Sequence, residues 1–155
     1  MKSLTEYITE ASINMAPTTK EELTKTLSSL IKQRGPNADL NDVDVSKITD
    51  MSRLFNQPPR MQNFTGDISK WNVSNVTDMS DMFRDSKFNG DISNWDVSNV
   101  KNMTEMFERS KFNGNISKWN VSNVESMKDI FFKSPLEKNP PKWYDQVPQE
   151  VKDEW

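Results

Sequence analysis

Phe88-Asn-Gly-Asp-Ile-Ser-Asn-Trp-Asp-Val-Ser-Asn-Val-Lys-Asn-Met-Thr-Glu-Met-Phe107 decides how this chain is read, because it occurs three times almost unchanged. Its tryptophans fall at Trp71, Trp95 and Trp119, a period of 24 residues. The same spacing carries Phe64/Phe88/Phe112, Gly66/Gly90/Gly114, Ile68/Ile92/Ile116, Asn75/Asn99/Asn123, Met79/Met103/Met127 and Phe83/Phe107/Phe131. Self-similarity at such a period is the signature of stacked repeats, each burying a face against its neighbour. A worn first copy runs from Leu40 to Phe55, followed by four extra residues around Gln57 and Arg60. Leu136, Pro140 and Trp143 begin a last copy that then dissolves. Degenerate ends are expected where a terminal repeat must cover a core that no neighbour covers.

Composition narrows the function classes. The chain has 155 residues, 34% hydrophobic content and a net charge of −3. Thin stacked coils need less apolar content than an ordinary globule. No basic footprint exists, so electrostatic nucleic-acid binding is not expected. The absence of Cys removes disulfide and thiolate chemistry, and the absence of His removes the commonest general base and metal ligand. No run of eighteen apolar residues occurs, so no membrane span is expected, and the N-terminus lacks a secretory signal's apolar core. No phosphate loop or catalytic constellation is visible. No enzymatic activity, cofactor or metal site is expected, and a monomer is.

In chain order, residues 1–11 read as an amphipathic helix with Leu4, Tyr7, Ile8 and Ala11 on one face, and residues 12–18 as a linker. Thr19-Lys-Glu-Glu22 is a capping box opening a helix through Leu23, Leu27, Leu30 and Ile31, which Gly35-Pro36 stops. Residues 19–35 are thus an N-terminal cap, 36–143 the repeats and 144–155 a C-terminal cap. Within each repeat the spacing predicts a short parallel strand at Gly90–Ser93 and a short helix carrying Val100, Met103, Met106 and Phe107 on one face. The tryptophan column is read as core rather than as a ligand platform. The Asn75/Asn99/Asn123 column is read as a buried ladder satisfying loop backbone. Phe132 stands where the other copies have Arg84 and Glu108, and is expected to tuck under the C-terminal cap.

The unit Phe-Asn-Gly-Asp-Ile-Ser-x-Trp-x-Val-Ser-Asn-Val-x-x-Met-x-x-Met-Phe resembles the BspA-like leucine-rich-repeat surface protein family. The resemblance spans roughly residues 37–143, opening at Arg34-Gly-Pro-Asn-Ala-Asp-Leu. It implies an α/β repeat fold: a right-handed leucine-rich-repeat-like solenoid of short parallel strands and short helices with a helical N-terminal cap. It also implies a role in binding, often adhesion, and no enzymatic activity. Met1-Lys-Ser-Leu-Thr-Glu-Tyr-Ile-Thr-Glu-Ala11 resembles the capsid-targeting peptide of T-even-type bacteriophage internal head proteins. That likeness implies cleavage between Glu10 and Ala11.

Together these readings predict a non-enzymatic protein-binding module, phage-encoded, in the virion or in the cytoplasm of the infected bacterium. Its site would be the strand face: Asp67, Ser69, Lys70, Asp91, Ser93, Asn94, Asn115, Ser117 and Lys118. Extended faces of this kind are what stacked repeats use for partners. A packaged virion component delivered by residues 1–11, or a bacterial surface adhesin, are the alternatives. Asp67, Asp91 and Asn115 form a row that offers too few oxygens for Ca²⁺.

Overall fold

The computed structural model describes Met1, Ser3, Leu4 and residues 12–57 and 59–153. The expected N-terminal helix, its targeting role and the Glu10–Ala11 cleavage site lie outside the described residues, as does Trp155. Helix α1 (Lys20–Arg34) opens the fold, and a 3-10 turn (Pro135–Glu137), α2 (Lys142–Gln146) and α3 (Gln149–Asp153) close it. Between them the repeats run as turns.

Helix α1 forms where the capping box lies. The Thr19 hydroxyl accepts the Glu22 N–H at 3.2 Å, but the Glu22 carboxylate reaches one residue further back, accepting the Thr18 N–H at 2.8 Å. Its apolar face buries Leu23, Leu27, Leu30 and Ile31. Residues 12–18 are packed rather than loose: Ile13 and Met15 lie against the core, the Met15 carbonyl accepts the Asp44 N–H at 2.8 Å, and Thr26 Oγ1 donates to the Asn14 carbonyl.

The leucine-rich-repeat-like solenoid of parallel strands and short helices is overturned. Among the described residues there is no β-strand, only isolated parallel bridges linking Asp39 to Asp67, and Asp50, Asp78, Asn102 and Ser126 in series. The described residues from 36 to 134 hold no helix either. Two features of the sequence explain this. First, Asp and Asn side chains capture nearby backbone in tight turns, competing with strand pairing. The Asp91 carboxylate takes the Ser93 N–H at 2.9 Å, Asp96 takes that of Ser98, and Asn102 takes that of Thr104. Second, Arg53, Asp81, Asp85, Glu105, Arg109, Asp129 and Lys133 have φ between 52° and 58°. A left-handed residue every few positions cannot continue an α-helix, and each costs roughly 1–2 kcal/mol for a side chain other than glycine.

That cost is offset by what the reversals allow. The peptide units 78–79, 80–81 and 82–83 all lie in one sense. Their N–H groups, on Met79, Asp81 and Phe83, donate to the carbonyls of Asn102, Thr104 and Met106 in the next copy, each at 2.9 Å. Their carbonyls accept from Met51, Arg53 and Phe55 in the preceding copy, also at 2.9 Å. The same bonds recur between Met103, Glu105, Phe107 and Arg109 and the carbonyls of Ser126, Lys128, Ile130 and Phe132.

Inside, identical residues meet. Phe55, Phe83 and Phe107 stack at centroid separations of 5.3 and 5.6 Å, and Phe64, Phe88 and Phe112 at 6.1 and 6.3 Å. Trp71 and Trp95 stack with centroids 6.4 Å apart and ring planes nearly parallel. Each tryptophan is both core and clasp. Nε1 of Trp71, Trp95, Trp119 and Trp143 donates to the carbonyl of Leu40, Ile68, Ile92 and Ile116 respectively, at 2.8–3.1 Å. The first three are 4% exposed, while Trp143 is half-buried at the end of the column. The asparagine column makes the expected ladder, Asn75, Asn99 and Asn123 donating to the carbonyls of Ser46, Ser74 and Ser98. The ladder is exposed, however, not buried. Phe132 is also corrected: it is 41% exposed, with Lys133 Nζ over its ring at 5.1 Å.

The repeat glycines are there because the phenylalanine two positions earlier folds beneath them. A Cβ at Gly90 would sit 2.7 Å from the Phe88 ring, and one at Gly66 would sit 1.9 Å from the Ala38 carbonyl oxygen. A ring can shift and a backbone carbonyl cannot. Gly66→Ala should therefore lower the melting temperature more than Gly90→Ala, whose overpacking costs about 1–3 kcal/mol. Trp95→Ala should cost about 3–5 kcal/mol as a large-to-small core change. Thermal and denaturant melts check all three; a Trp95→Ala protein melting with wild type would mean that the column is not core.

Candidate functional site

One corner of each coil is less tied to its neighbours than the rest. Between the first two copies it is laced: the Thr65 and Asp67 N–H groups donate to the carbonyls of Pro36 and Ala38, and Leu40 donates back to Asp67. From the next copy on the lacing stops. Among the described residues, the backbone N–H groups of Gly90, Asp91, Gly114 and Asn115 have no acceptor. Of the backbone N–H groups at this corner, that of Asn113 still reaches the preceding coil, where Asn89 Oδ1 accepts it at 2.8 Å.

The two corners enclose an open groove of about 470 Å³ lined by Asn89, Gly90, Asp91, Ser93, Asn113, Gly114, Asn115 and Lys118. A smaller hollow of about 270 Å³ continues it past Ser117 to Leu136, Asn139 and Pro141. Of the residues expected to bind, Asp91, Ser93, Asn115 and Lys118 converge on the groove, and Ser117 lies in the adjoining hollow. Asp67, Ser69, Lys70 and Asn94 do not line it. The strand face that was to join all nine does not exist, since these positions form turns. Asn89, Gly90, Asn113 and Gly114 were missed, although Asn-Gly pairs mark turns that expose backbone.

The electrostatics of the corner follow from those turns. The Asp67 carboxyl is held below the ordinary carboxylate range, chiefly by the Ser69 N–H and hydroxyl. The Ser93 hydroxyl and N–H do the same for Asp91, at 2.6 and 2.9 Å. Both stay ionised, and neither is poised as an acid or base near neutrality. Asn115 fills the same role without charge, accepting the Ser117 N–H at 2.9 Å.

A second polar cluster lies on the ladder side and was not anticipated. Arg84 contacts Asp81 at 3.1 Å, Glu108 at 3.4 Å and Glu105. Arg109 grips Asp85 with two bonds of 2.7 and 2.9 Å. Asp85 is thereby held below its ordinary range, while burial, and then the neighbouring Glu108, push Glu105 up. Glu108 is itself buried. The pairings of Arg84 with Glu105 and Glu108, and of Arg109 with Asp85, bind consecutive coils together. Among the described residues no group of carboxylates is arranged to hold a metal ion, and no helix is long and apolar enough to cross a membrane.

A family model described as "Mycoplasma protein of unknown function, DUF285" matches residues 24–143, and the chain belongs to that family. No curated protein and no solved structure matches the chain. The BspA-like leucine-rich-repeat assignment is replaced on both counts, by this family and by the turn-built repeats. The strand-face module is withdrawn with the strands, and the match lends no support to the phage, virion and adhesin expectations.

The depressed carboxyls set the acid response. A group whose pKa is lower folded than unfolded adds stability above its ordinary value and loses it as pH falls through its folded value. For Asp67, Asp85, Asp91 and Asp96 the loss should begin below about pH 4. Glu105, shifted up, opposes this by gaining stability as pH falls towards its ordinary value. Melts across pH should show a plateau from neutrality to that point and a fall beneath it. Asp91→Asn, copying Asn115, should lower the neutral-pH melting temperature slightly and make the acid limb shallower; Asp91→Ala should lower it further.

Proposed function

We propose that this member of the family acts without catalysis, by engaging a protein partner through the turn-lined groove at Asn89–Ser93 and Asn113–Lys118. One observation carries the reading: four backbone N–H groups, of Gly90, Asp91, Gly114 and Asn115, have no acceptor among the described residues and belong to a groove that also holds an ionised Asp91 and Lys118. An extended polypeptide segment supplies carbonyl acceptors, and recognition through main-chain hydrogen bonds is a recurring peptide-binding mode. The two charges of opposite sign orient the segment. The lining has no exposed aromatic side chain, so the affinity gained here is modest and rests on hydrogen bonding and shape.

The absence of His and Cys, and the engagement of every shifted carboxyl by a hydroxyl, amide, guanidinium or carboxyl neighbour, agree with a non-catalytic role.

Hydrogen exchange tests the reading directly. A bound partner should slow exchange at Gly90, Asp91, Gly114 and Asn115 more than elsewhere. The pair Asn113→Arg with Lys118→Glu should abolish binding with no change in melting temperature, while Lys101→Ala, on an exposed ion pair with Glu125 at 3.8 Å, should leave it intact. Protection centred on Arg84 and Arg109, or binding that survives the groove pair, would move the partner to another face.

A further inference from the structure

The chain contains two Asn-Gly pairs, Asn89-Gly90 and Asn113-Gly114, each preceded by Lys-Phe. Asn-Gly is the dipeptide most open to ring closure between the asparagine side chain and the following backbone nitrogen, because glycine has no Cβ to hinder the approach. Both asparagines are exposed, and neither Gly90 nor Gly114 commits its N–H to an acceptor among the described residues. The two sites nevertheless differ. Asn89 Oδ1 is held by the Asn113 N–H at 2.8 Å, which fixes the side chain against the next coil. The Asn113 side chain has no such restraint among the described residues. Its counterpart one repeat on is Glu137, which lies in the 3-10 turn and gives its N–H to the Ser134 carbonyl at 3.1 Å. The repeat that would have tied Asn113 down has already ended.

We propose that Asn113 is a self-modifying position that converts to aspartate and isoaspartate in the folded protein, while Asn89 is protected. The Gly114 nitrogen attacks Asn113 Cγ and forms the N–Cγ bond of a succinimide. The Cγ–Nδ2 bond breaks, and Nδ2 leaves as ammonia with the proton from the Gly114 N–H. Water then opens the ring at either carbonyl, giving aspartate or isoaspartate. The product places a new carboxylate in the groove beside Lys118 and removes the amide donor. The isoaspartyl form also lengthens the backbone at the corner. The chemistry does not depend on the recognition proposed for the groove, and its test needs no partner.

The experiment is peptide mapping by mass spectrometry of the intact folded protein, aged in mildly alkaline buffer at physiological temperature. Conversion should be about three- to tenfold faster at Asn113 than at Asn89, the factor expected when one hydrogen bond must break before ring closure. In denaturant, where the restraint is gone, the two sites should convert at similar rates. Asn113→Gln should remove the fast component and leave the slow conversion at Asn89. Equal rates in the folded protein, a faster Asn89, or a difference that persists in denaturant would each overturn the proposal.

Discussion

The structure depends on one constraint: every coil must present its backbone to the next in the same register, and the ladder from Met79 to Phe83 enforces it. A slip of one residue would place N–H groups where carbonyls now stand, and would turn the Phe, Met and Trp columns outward. The left-handed residues belong to this constraint. Asp81, Glu105 and Asp129 accept an unfavourable backbone angle so that each intervening peptide can face its neighbour. The side chains at these positions are polar, and two of them hold Arg84: Asp81 from its own coil and Glu105 from the next. The aromatic columns then fill the space that the register defines.

Much of this was written in the sequence, and what was not has a physical reason. The period named which residues would meet: Phe55 with Phe83, Trp71 with Trp95, Asn99 with the preceding copy. It could not name the backbone conformation between them. Val100, Met103, Met106 and Phe107 have the spacing of a helical face, and all four are buried, yet they reach the core through turns. Helical spacing and a run of alternating left- and right-handed turns both bring such residues to one side. The information that separates them lies in the Asp and Asn residues, whose side chains hold the backbone of the second residue on. Glu108 illustrates a second limit: a carboxylate looked outward until Arg84 and Arg109 were seen to enclose it. Those partners lie in a different repeat and in the same one, and only the fold brings both to it.

The groove was half legible. Asp91, Ser93, Asn115 and Lys118 were named because they repeat on the outward row, but the row was read as a strand. The structure has the opposite property: the coils part there, and among the described residues the N–H groups of Gly90, Asp91, Gly114 and Asn115 find no acceptor. Asn89 and Asn113 were invisible because they were absorbed into the repeat's consensus. The first is tied and the second, among the described residues, is not, a difference that no comparison of copies could expose.

The ladder also gives the stack a head and a tail. At the Leu40–Phe55 end the coupled peptides turn their oxygens outward; at the Met127–Lys133 end they turn their hydrogens outward. The two lids answer this difference in kind. Helix α1 brings an ammonium group to the oxygen-rich end, Lys20 Nζ meeting Ser52 Oγ at 2.7 Å and lying 3.9 Å from the Asp50 carboxylate. Helix α3 brings an oxygen to the other, the Val151 carbonyl receiving the Met127 N–H at 2.8 Å. The lids are therefore not interchangeable. A unit copied into the middle of the chain would find a matching surface above and below, whereas the same unit inverted, or joined head to head, would set oxygen against oxygen. Lengthening by duplication is the one route that such a stack leaves open.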